Sequence, residues 1–174
     1  VVLETPLVRA LRRTYLNAYS AALVRPYARD LLLHNPHLDA VLVDDASGVH
    51  AGRRGFARLV QDLRRERFDT ALLLLPTERA AWALFGAGIP RRIGVGRKLY
   101  EVLTLMQSVS RNKYVPLRHE ADYCLDLGRR IGVRADDRPE TLATELFVTD
   151  AERAAARARL HSAGAQPGDF LLGV

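Results

Sequence analysis

Short apolar runs alternate with amphipathic segments along most of the chain. The runs have strand length, whereas the segments between them repeat apolar residues at the spacing of a helix face. The pattern predicts strands at residues 20–24, 40–44, 68–75, 92–95 and 170–174. It predicts helices from Thr5 onward, at 26–34, 53–67, 78–87 and 119–131, and from Thr149 to near Gly164. Residues 96–117 are predicted to form a long, partly helical loop, and 141–148 an extended segment.

Local signals support several of these helices. In segment 53–67, Phe56, Leu59, Val60 and Leu63 follow the i, i+3, i+4, i+7 spacing of an amphipathic helix. Thr149 and Glu152 have the spacing of a capping box.

The first helix has its own start signal. Thr5 is predicted to cap the first helix, with Pro6 in its first turn. Leu7 and Leu11 are then expected to face inward and Arg9 outward.

Near-strict alternation of strands and helices predicts an α/β fold, a right-handed doubly wound parallel sheet with segment 68–75 as its central strand. Such sheets bind ligands at the carboxyl ends of their strands. We therefore expect functional side chains in the loops after residues 44, 75 and 95. The first helix begins without a strand before it, and 170–174 resembles a buried strand at the end of the chain. From this we expect a fragment of a longer protein.

Composition narrows the class of protein. Among 174 residues, 48% are hydrophobic and 26% charged, the balance of a globular protein rather than a disordered one. The single cysteine, Cys124, excludes an internal disulfide framework. No apolar run reaches the length that a bilayer requires, and no signal peptide is expected because the chain turns polar at Glu4. The net charge is +6, and all basic residues except Lys98 and Lys113 are arginine, so an anionic partner is permitted but not required.

Basic residues follow several predicted strands. The turn at Gly94 and Gly96 lacks the third glycine of a dinucleotide loop, but it would present Arg97 and Lys98 to a ligand. Arg53 and Arg54 start a helix after a strand, where they either hold an anionic substrate or are simply solvated.

Arg79 occupies the first turn of the next helix. A positive charge is unfavourable there, so we expect a compensating anion beside it.

Other reactive side chains have simpler structural explanations. His119 and Glu120 could form an acid–base pair, but such residues are more often a helix cap and a first-turn acid, and we favour that interpretation. Cys124 lies on an apolar helix face and is expected in the core. Trp82 and Phe85 are also expected to pack in the core. The histidines lack metal-ligand spacing, so no metal site is expected.

Four groups of segments carry a resemblance to a known family. They are residues 1–12 (VVLETPLVRALR), 35–41 (NPHLDAV), 67–72 with 87–94 (RFDTAL and AGIPRRIG), and 119–126 with 127–132 (HEADYCLD and LGRRIG). In order and spacing they resemble glycosyltransferase family 9, the ADP-heptose:lipopolysaccharide heptosyltransferases. Glu4 departs from the family, many members of which have a small hydroxyl residue there.

The resemblance implies a GT-B architecture of two Rossmann-like domains. Residues 1–148 would be the acceptor-side domain without its first strand, and 149–174 the interdomain helix and the first strand of a donor-binding domain. The reaction implied is inverting, metal-independent transfer of heptose from ADP-heptose to the lipopolysaccharide inner core, with no cofactor. The family's catalytic aspartate would precede Val1, so this chain alone is expected to be inactive.

The resemblance also places an anionic lipopolysaccharide acceptor against this domain, with the sugar nucleotide bound mainly by the other. The acceptor-binding candidates are Thr5, Arg53, Arg79, Arg97 and Lys98. A cytoplasmic location is expected, with peripheral contact to the inner membrane surface left open. Two alternatives remain: a non-catalytic basic module that binds anionic ligands or nucleic acid, and another GT-B sugar-nucleotide enzyme, such as an epimerase.

Overall fold

The computed structural model describes residues 1–96, 98–109, 118–135, 138–166 and 168–170. In these ranges five strands form two parallel sheets. Strands β1 (Ala21–Val24) and β2 (Ala40–Val43) form the first sheet. Strands β3 (Thr70–Leu73), β4 (Arg91–Val95) and β5 (Gln107–Val109) form the second, in that order.

Helices precede, separate and follow these strands. They are α1 (Thr5–Thr14), α2 (Gly52–Arg65), α3 (Glu78–Gly86), α4 (Leu99–Leu103), α5 (Glu120–Arg129), α6 (Pro139–Leu142) and α7 (Asp150–Ser162). Two short 3₁₀ helices lie at Val2–Glu4 and Pro26–Ala28. No helix within the described ranges is long and apolar enough to cross a membrane.

Two helical layers cover opposite faces of the strands. Leu73 of β3 packs with buried residues of α2 and α3, and Leu23 of β1 and Leu42 of β2 pack against the same cluster. Leu72, the neighbour of Leu73, packs on the other side against the cluster formed by α1 and α5. Adjacent strand residues point to opposite faces, so the strands form a middle layer between these two pairs of helices.

Contacts at both ends of the strands show that the two sheets run in the same direction. Tyr19, two residues before β1, stacks on Phe68, two residues before β3, with ring centroids 5.9 Å apart. At the other end, Asp44 after β2 binds Arg79 in α3, the helix that follows β3. The carboxyl ends of β1, β2, β3 and β4 therefore lie at one edge, and the predicted α/β fold with parallel open sheets is confirmed.

One predicted helix is absent from the structure. Segment 26–34 is not an α-helix. After Pro26–Ala28 the chain continues in turns, whose hydrogen bonds join residues three positions apart, such as Leu32 N–H to Arg29 O. Prolines at 26 and 36 confine this segment, and only Ala28 and Leu32 are buried in it.

Segment 68–75 was predicted as the central strand, but among the described residues β3 pairs with β4 alone and lies at an edge of its sheet. The predicted strand 170–174 lies outside the described residues except for Phe170.

Two further differences concern charged or weakly patterned segments. Segment 96–117 contains β5, which was not predicted, and residues 110–117 lie outside the described ranges.

Arg9 was expected to face solvent, but it is buried beneath the segment that follows α6. Its guanidinium binds the carboxylate of Glu145 and donates to the carbonyl oxygen of Thr141 at 2.9 Å. A buried arginine is tolerated here because its charge and its donors both find partners.

Two acidic and two basic side chains form an ion-pair network along α5. They are Asp122, Asp126, Arg118 and Arg129. Asp122 is buried and binds both Arg118 and Arg129, the latter at 2.8 Å. The hydrogen bond from Arg118 lowers the pKa of Asp122, burial opposes that shift, and Arg129 adds to the lowering. The network thus favours the ionised carboxylate in the folded protein.

Stability should therefore fall at acid pH. A carboxyl group whose pKa is lower in the folded protein than in the unfolded chain stabilises the fold above its unfolded value of 3.8. This contribution is lost as the pH falls through the lowered folded pKa. We expect Asp122→Asn to cost about 1.5 kcal/mol near pH 7 and progressively less as the pH falls below 3.8. Urea unfolding across this pH range measures the difference, and a constant cost would contradict the expectation.

Candidate functional site

The carboxyl ends of the strands form the edge at which an α/β sheet binds ligands. Arg25 follows β1, Asp44 follows β2, and Arg79 lies in the helix after β3. Lys98 follows β4 and precedes α4. Arg97, also predicted to bind the acceptor, lies outside the described residues. The edge therefore carries several basic side chains, and Asp44 lies among them.

Arg79 and Asp44 form a two-pronged ion pair at this edge. Nε and Nη2 of Arg79 each donate to a different oxygen of Asp44 at 2.8 Å, and Nη2 also donates to the carbonyl oxygen of His50 at 2.8 Å. The guanidinium lies 5.4 Å from the ring centre of Phe56 in α2. The anion that the position of Arg79 called for is therefore supplied by the chain itself.

The pair is partly buried, and this affects the pKa of both groups. Burial acts to raise the pKa of Asp44, but the hydrogen bonds and charge of Arg79 outweigh it, and the pKa is lowered. Arg25 and His50 act in the same direction. The hydrogen bond to Asp44 raises the pKa of Arg79. Both groups are thus charged at neutral pH, and Arg79 is held in one orientation.

His50 is part of the same arrangement and was not predicted from the sequence. It is buried; its Nδ1 accepts from the main-chain N–H of Asp45 at 3.3 Å, and its Nε2 lies 3.5 Å from Asp62. Its main chain rests directly on Gly55 of α2, where a side chain would collide with it. His50 therefore fixes the loop between β2 and α2 at the edge. The sequence contains one signal for this loop, which is that the polar residue Asp44 comes directly after a strand.

Arg53 and Arg54 lie in the first turn of α2 and are exposed. Within the described part of the chain, neither has a hydrogen-bond or ion-pair partner. The helix has no acidic residue in its first turn and no side-chain cap. Positive charge is unfavourable at a helix N-terminus. An anionic ligand bound there would neutralise the arginines and accept hydrogen bonds from the uncapped N–H groups.

Lys98 is also exposed and faces the end of β3. Its Nζ lies 3.5 Å from the carbonyl oxygen of Pro76 and 5.7 Å from the ring centre of Tyr100. The Tyr100 hydroxyl donates to the same carbonyl at 2.7 Å. The α4 start and the β3 end are thus joined, with the ammonium group of Lys98 at their surface.

Thr5 occupies a different environment from the other candidates. It is fully buried, and its hydroxyl donates to the carbonyl oxygen of Val2 at 2.8 Å and accepts from the N–H of Glu145 at 2.9 Å. It does not cap α1, whose first residue it is. Because both contacts are internal, the structure favours a positioning role for Thr5 over direct contact with a ligand.

A shallow depression of about 340 Å³ adjoins the ion pair, lined by Phe56, Glu78, Arg79 and Trp82.

Trp82 and Phe85 pack edge to face with their ring centroids 5.9 Å apart, but the expectation that they lie in the core was wrong. Phe85 is 40% exposed, because the buried face of α3 is formed by Ala81, Ala83 and Leu84. An aromatic wall therefore borders the basic edge.

The remaining candidates have structural roles. His119 caps α5, with Nδ1 accepting from the N–H of Ala121 at 3.2 Å. Cys124 is buried in the cluster between α1 and α5, as expected. Within the described ranges, no group of three or more histidine, cysteine, aspartate or glutamate side chains is arranged to hold a metal ion.

Comparison with known proteins relates this architecture to solved structures. No family model matches the sequence. No curated protein matches it. A glycosyltransferase family 9 protein from Veillonella parvula superposes with a TM-score of 0.76 at 20% identity, covering 95% of this chain. The ADP-heptose lps heptosyltransferase II of E. coli superposes with a TM-score of 0.63 at 21% identity, covering 91%.

This chain spans about half of each solved structure, 46% in both cases. At such low identity the likeness establishes the fold alone, an open α/β fold with parallel strands that this chain shares with part of each of these two structures. The neighbours bear the names of the family that the sequence segments resemble.

Proposed function

We propose that this chain is the acceptor-side half of a glycosyltransferase of family 9. The carrying observation is the superposition of 95% of the chain on half of a family 9 structure. The basic edge at the carboxyl ends of the strands supports the proposal, because this edge is where an α/β domain of that architecture binds its ligand.

The substrates follow from the resemblance and the charge of the edge. We propose transfer of heptose from ADP-heptose to the lipopolysaccharide inner core, by inversion and without a metal ion. The inner core carries carboxylates and phosphates, and Arg53 and Lys98 are exposed at the edge with no ion-pair partner among the described residues. Arg79 would orient the acceptor through a guanidinium that Asp44 already holds in place.

The chemistry divides between the two halves. A carboxylate takes the proton of the acceptor hydroxyl as its oxygen attacks the anomeric carbon of the donor, and the bond to ADP breaks. By the resemblance, this carboxylate precedes Val1 and the groups that bind the diphosphate follow Val174. The described residues would therefore bind and orient the acceptor rather than catalyse the transfer.

The test is turnover by the complete protein that contains this chain. We expect heptose transfer from ADP-heptose to a deacylated inner-core acceptor. Arg53→Ala and Lys98→Ala should each raise the KM for the acceptor about tenfold, the value of one charge-assisted contact, and leave the KM for the donor unchanged. Arg65→Ala, an exposed arginine at the other end of α2, is the matched control and should change neither.

The other outcomes assign the alternatives. Turnover of a different sugar nucleotide would replace the heptosyl assignment with another GT-B reaction. Absence of any turnover, together with salt-dependent binding of unrelated nucleic acids, would overturn the proposal in favour of a basic binding module.

A further inference from the structure

The depression beside the ion pair opens between α2 and α3. Its lining residues are Phe56, Glu78, Arg79 and Trp82. The two helices approach closely at the end of α3, where a side-chain carbon on Gly86 would lie 3.3 Å from Val60. Toward the carboxyl edge of the strands they leave the depression open, and its volume of about 340 Å³ lies at the lower end of the range for small-ligand sites.

Trp82 supplies an aromatic face to this depression. Its indole is half-buried, and Phe85 packs against it with the two ring planes at 89° to each other. This contact favours one orientation of the indole, which projects from a helix rather than from a loop. The Phe56 ring is already covered on one side by the Arg79 guanidinium. Trp82 is therefore the rigid apolar surface that the depression offers to a ligand.

The depression also offers a hydrogen-bond acceptor and hydrogen-bond donors. Glu78 is exposed, and within the described ranges its carboxylate has no hydrogen-bond or ion-pair partner. Arg79 donates to Asp44 and to the His50 carbonyl through Nε and Nη2, and none of the bonds described for it uses Nη1. The two N–H groups of Nη1 are therefore available to a ligand oxygen.

The charges around the depression narrow the class of ligand. Because Asp44 neutralises Arg79, the carboxylate of Glu78 makes the lining negative, and this disfavours a phosphate or carboxylate in the depression. A cationic ligand is disfavoured because the Arg79 guanidinium already lies over the Phe56 ring. An uncharged ring with several hydroxyl groups and an apolar face fits, since hydroxyls both donate and accept hydrogen bonds.

We propose that the depression binds an uncharged pyranose ring, which stacks on Trp82 and exchanges hydrogen bonds with Glu78 and with Nη1 of Arg79. Arg53 precedes Phe56 by three residues, so both lie on the same side of α2. A phosphate or carboxylate on an adjoining sugar would then meet Arg53 while the neutral ring occupies the depression. Assigning this ring to the acceptor rests on the proposed function, whereas the site itself does not.

Fluorescence tests the site directly, because Trp82 is the single tryptophan of the chain. The complete protein that contains this chain is titrated with methyl mannoside, a neutral pyranoside. The same titration of Trp82→Phe is subtracted, which removes the signal of any tryptophan elsewhere. We expect a saturable change in emission with half-saturation at about 1–10 mM, as for one small ring. Glu78→Gln should raise the half-saturating concentration about fivefold.

Turnover measures the same contact in the acceptor. Trp82→Ala should raise the KM for a deacylated inner-core acceptor about tenfold and leave the KM for the donor unchanged. Trp82→Phe keeps an aromatic face and should retain most of the affinity. Leu16→Ala is the matched control, since it removes a 72% exposed apolar side chain at the opposite edge of the strands, and it should change neither KM. Thermal unfolding confirms that each variant is folded.

Three results of the titration would overturn the proposal. They are no change in Trp82 emission up to about 100 mM methyl mannoside, a response to inorganic phosphate at lower concentration than to the sugar, and a response to adenosine at lower concentration than to the sugar. The second would make the depression an anion site and the third a nucleobase site. A saturable response to methyl mannoside without turnover would retain the site and overturn the proposed function alone. Turnover with an acceptor KM that Trp82→Ala leaves unchanged would do the reverse.

Discussion

Replacing Arg79 with alanine should lower the free energy of unfolding by about 2–3 kcal/mol near pH 7. The Asp44 side chain is only 11% exposed, and both of its oxygens receive hydrogen bonds from Arg79. Removing one partner of a buried ion pair leaves an uncompensated charge, which typically costs about 3–5 kcal/mol. Arg79 is 23% exposed, so solvent reduces that figure. Urea unfolding gives the value directly.

A double-mutant cycle separates the ion pair from the packing of the arginine stem on Phe56. Asp44→Asn together with Arg79→Ala should cost less than the sum of the two single changes, because the double variant buries no unpaired charge. Arg54→Ala, an exposed first-turn arginine, is the control and should stay within about 0.5 kcal/mol.

Acid pH provides a second check. The pKa of Asp44 is lowered in the folded protein, so the cost of losing Arg79 should shrink as the pH falls below about 4 and the carboxyl protonates. A cost under about 0.5 kcal/mol near pH 7 would instead mean that Arg25 or water satisfies Asp44 without Arg79.

The ion pair also divides the basic side chains of the edge into two kinds. Asp44 neutralises the charge of Arg79 and fixes its orientation. Arg79 therefore offers a ligand oriented N–H groups but no net positive charge. Arg53 and Lys98 are exposed, and their charge is available to an anionic ligand. Affinity for an anionic ligand should thus depend mainly on Arg53 and Lys98, whereas Arg79 offers a fixed guanidinium and holds the loop after β2 against α3.

The sequence predicted the elements whose signals are local. Helix α2 was predicted at 53–67 and spans Gly52–Arg65, because its apolar residues repeat at helical spacing. The capping box at Thr149 starts α7 as predicted. These features depend on neighbouring residues alone, so one sequence is enough to find them.

The wrong predictions concern features that depend on residues far apart in the sequence. Arg9 is buried because Glu145, 136 residues away, neutralises it, and no local pattern contains that information. β5 has only three residues and lies at the edge of its sheet, so it is too short to show a period. In segment 26–34 the apolar side chains of Tyr27, Leu31 and Leu33 are exposed, so its apolar content did not indicate a helix packed on the core.

The site was predictable in place but not in detail. The strand ends and Arg79 followed from the α/β pattern and the helix dipole. The anion beside Arg79 is Asp44, 35 residues earlier, and the carbonyl oxygen that completes its contacts belongs to His50. Both partners meet Arg79 only because β2 and β3 end at the same edge of the fold.

Replacing Gly55 with alanine should destabilise the protein by about 3 kcal/mol, although alanine favours a helix more than glycine does. A side-chain carbon at this position would collide with the main chain of His50, lying 2.7 Å from both its Cα and its carbonyl oxygen. Main-chain atoms cannot move aside as the end of a flexible side chain can, so the loop after β2 must shift away from α2. That loop supplies the His50 carbonyl to Arg79, and the shift would weaken this contact as well.

Gly86→Ala is the matched control, because it makes the same change in another helix. Its added carbon would meet only the side chain of Val60, at 3.3 Å. We expect this variant to change the free energy of unfolding by no more than about 1 kcal/mol, so only Gly55→Ala should be clearly destabilising. Thermal and urea unfolding of both variants test this contrast. If Gly55→Ala proved as stable as Gly86→Ala, the close approach of His50 to α2 would not hold the loop at the edge, and Arg79 would depend on Asp44 alone.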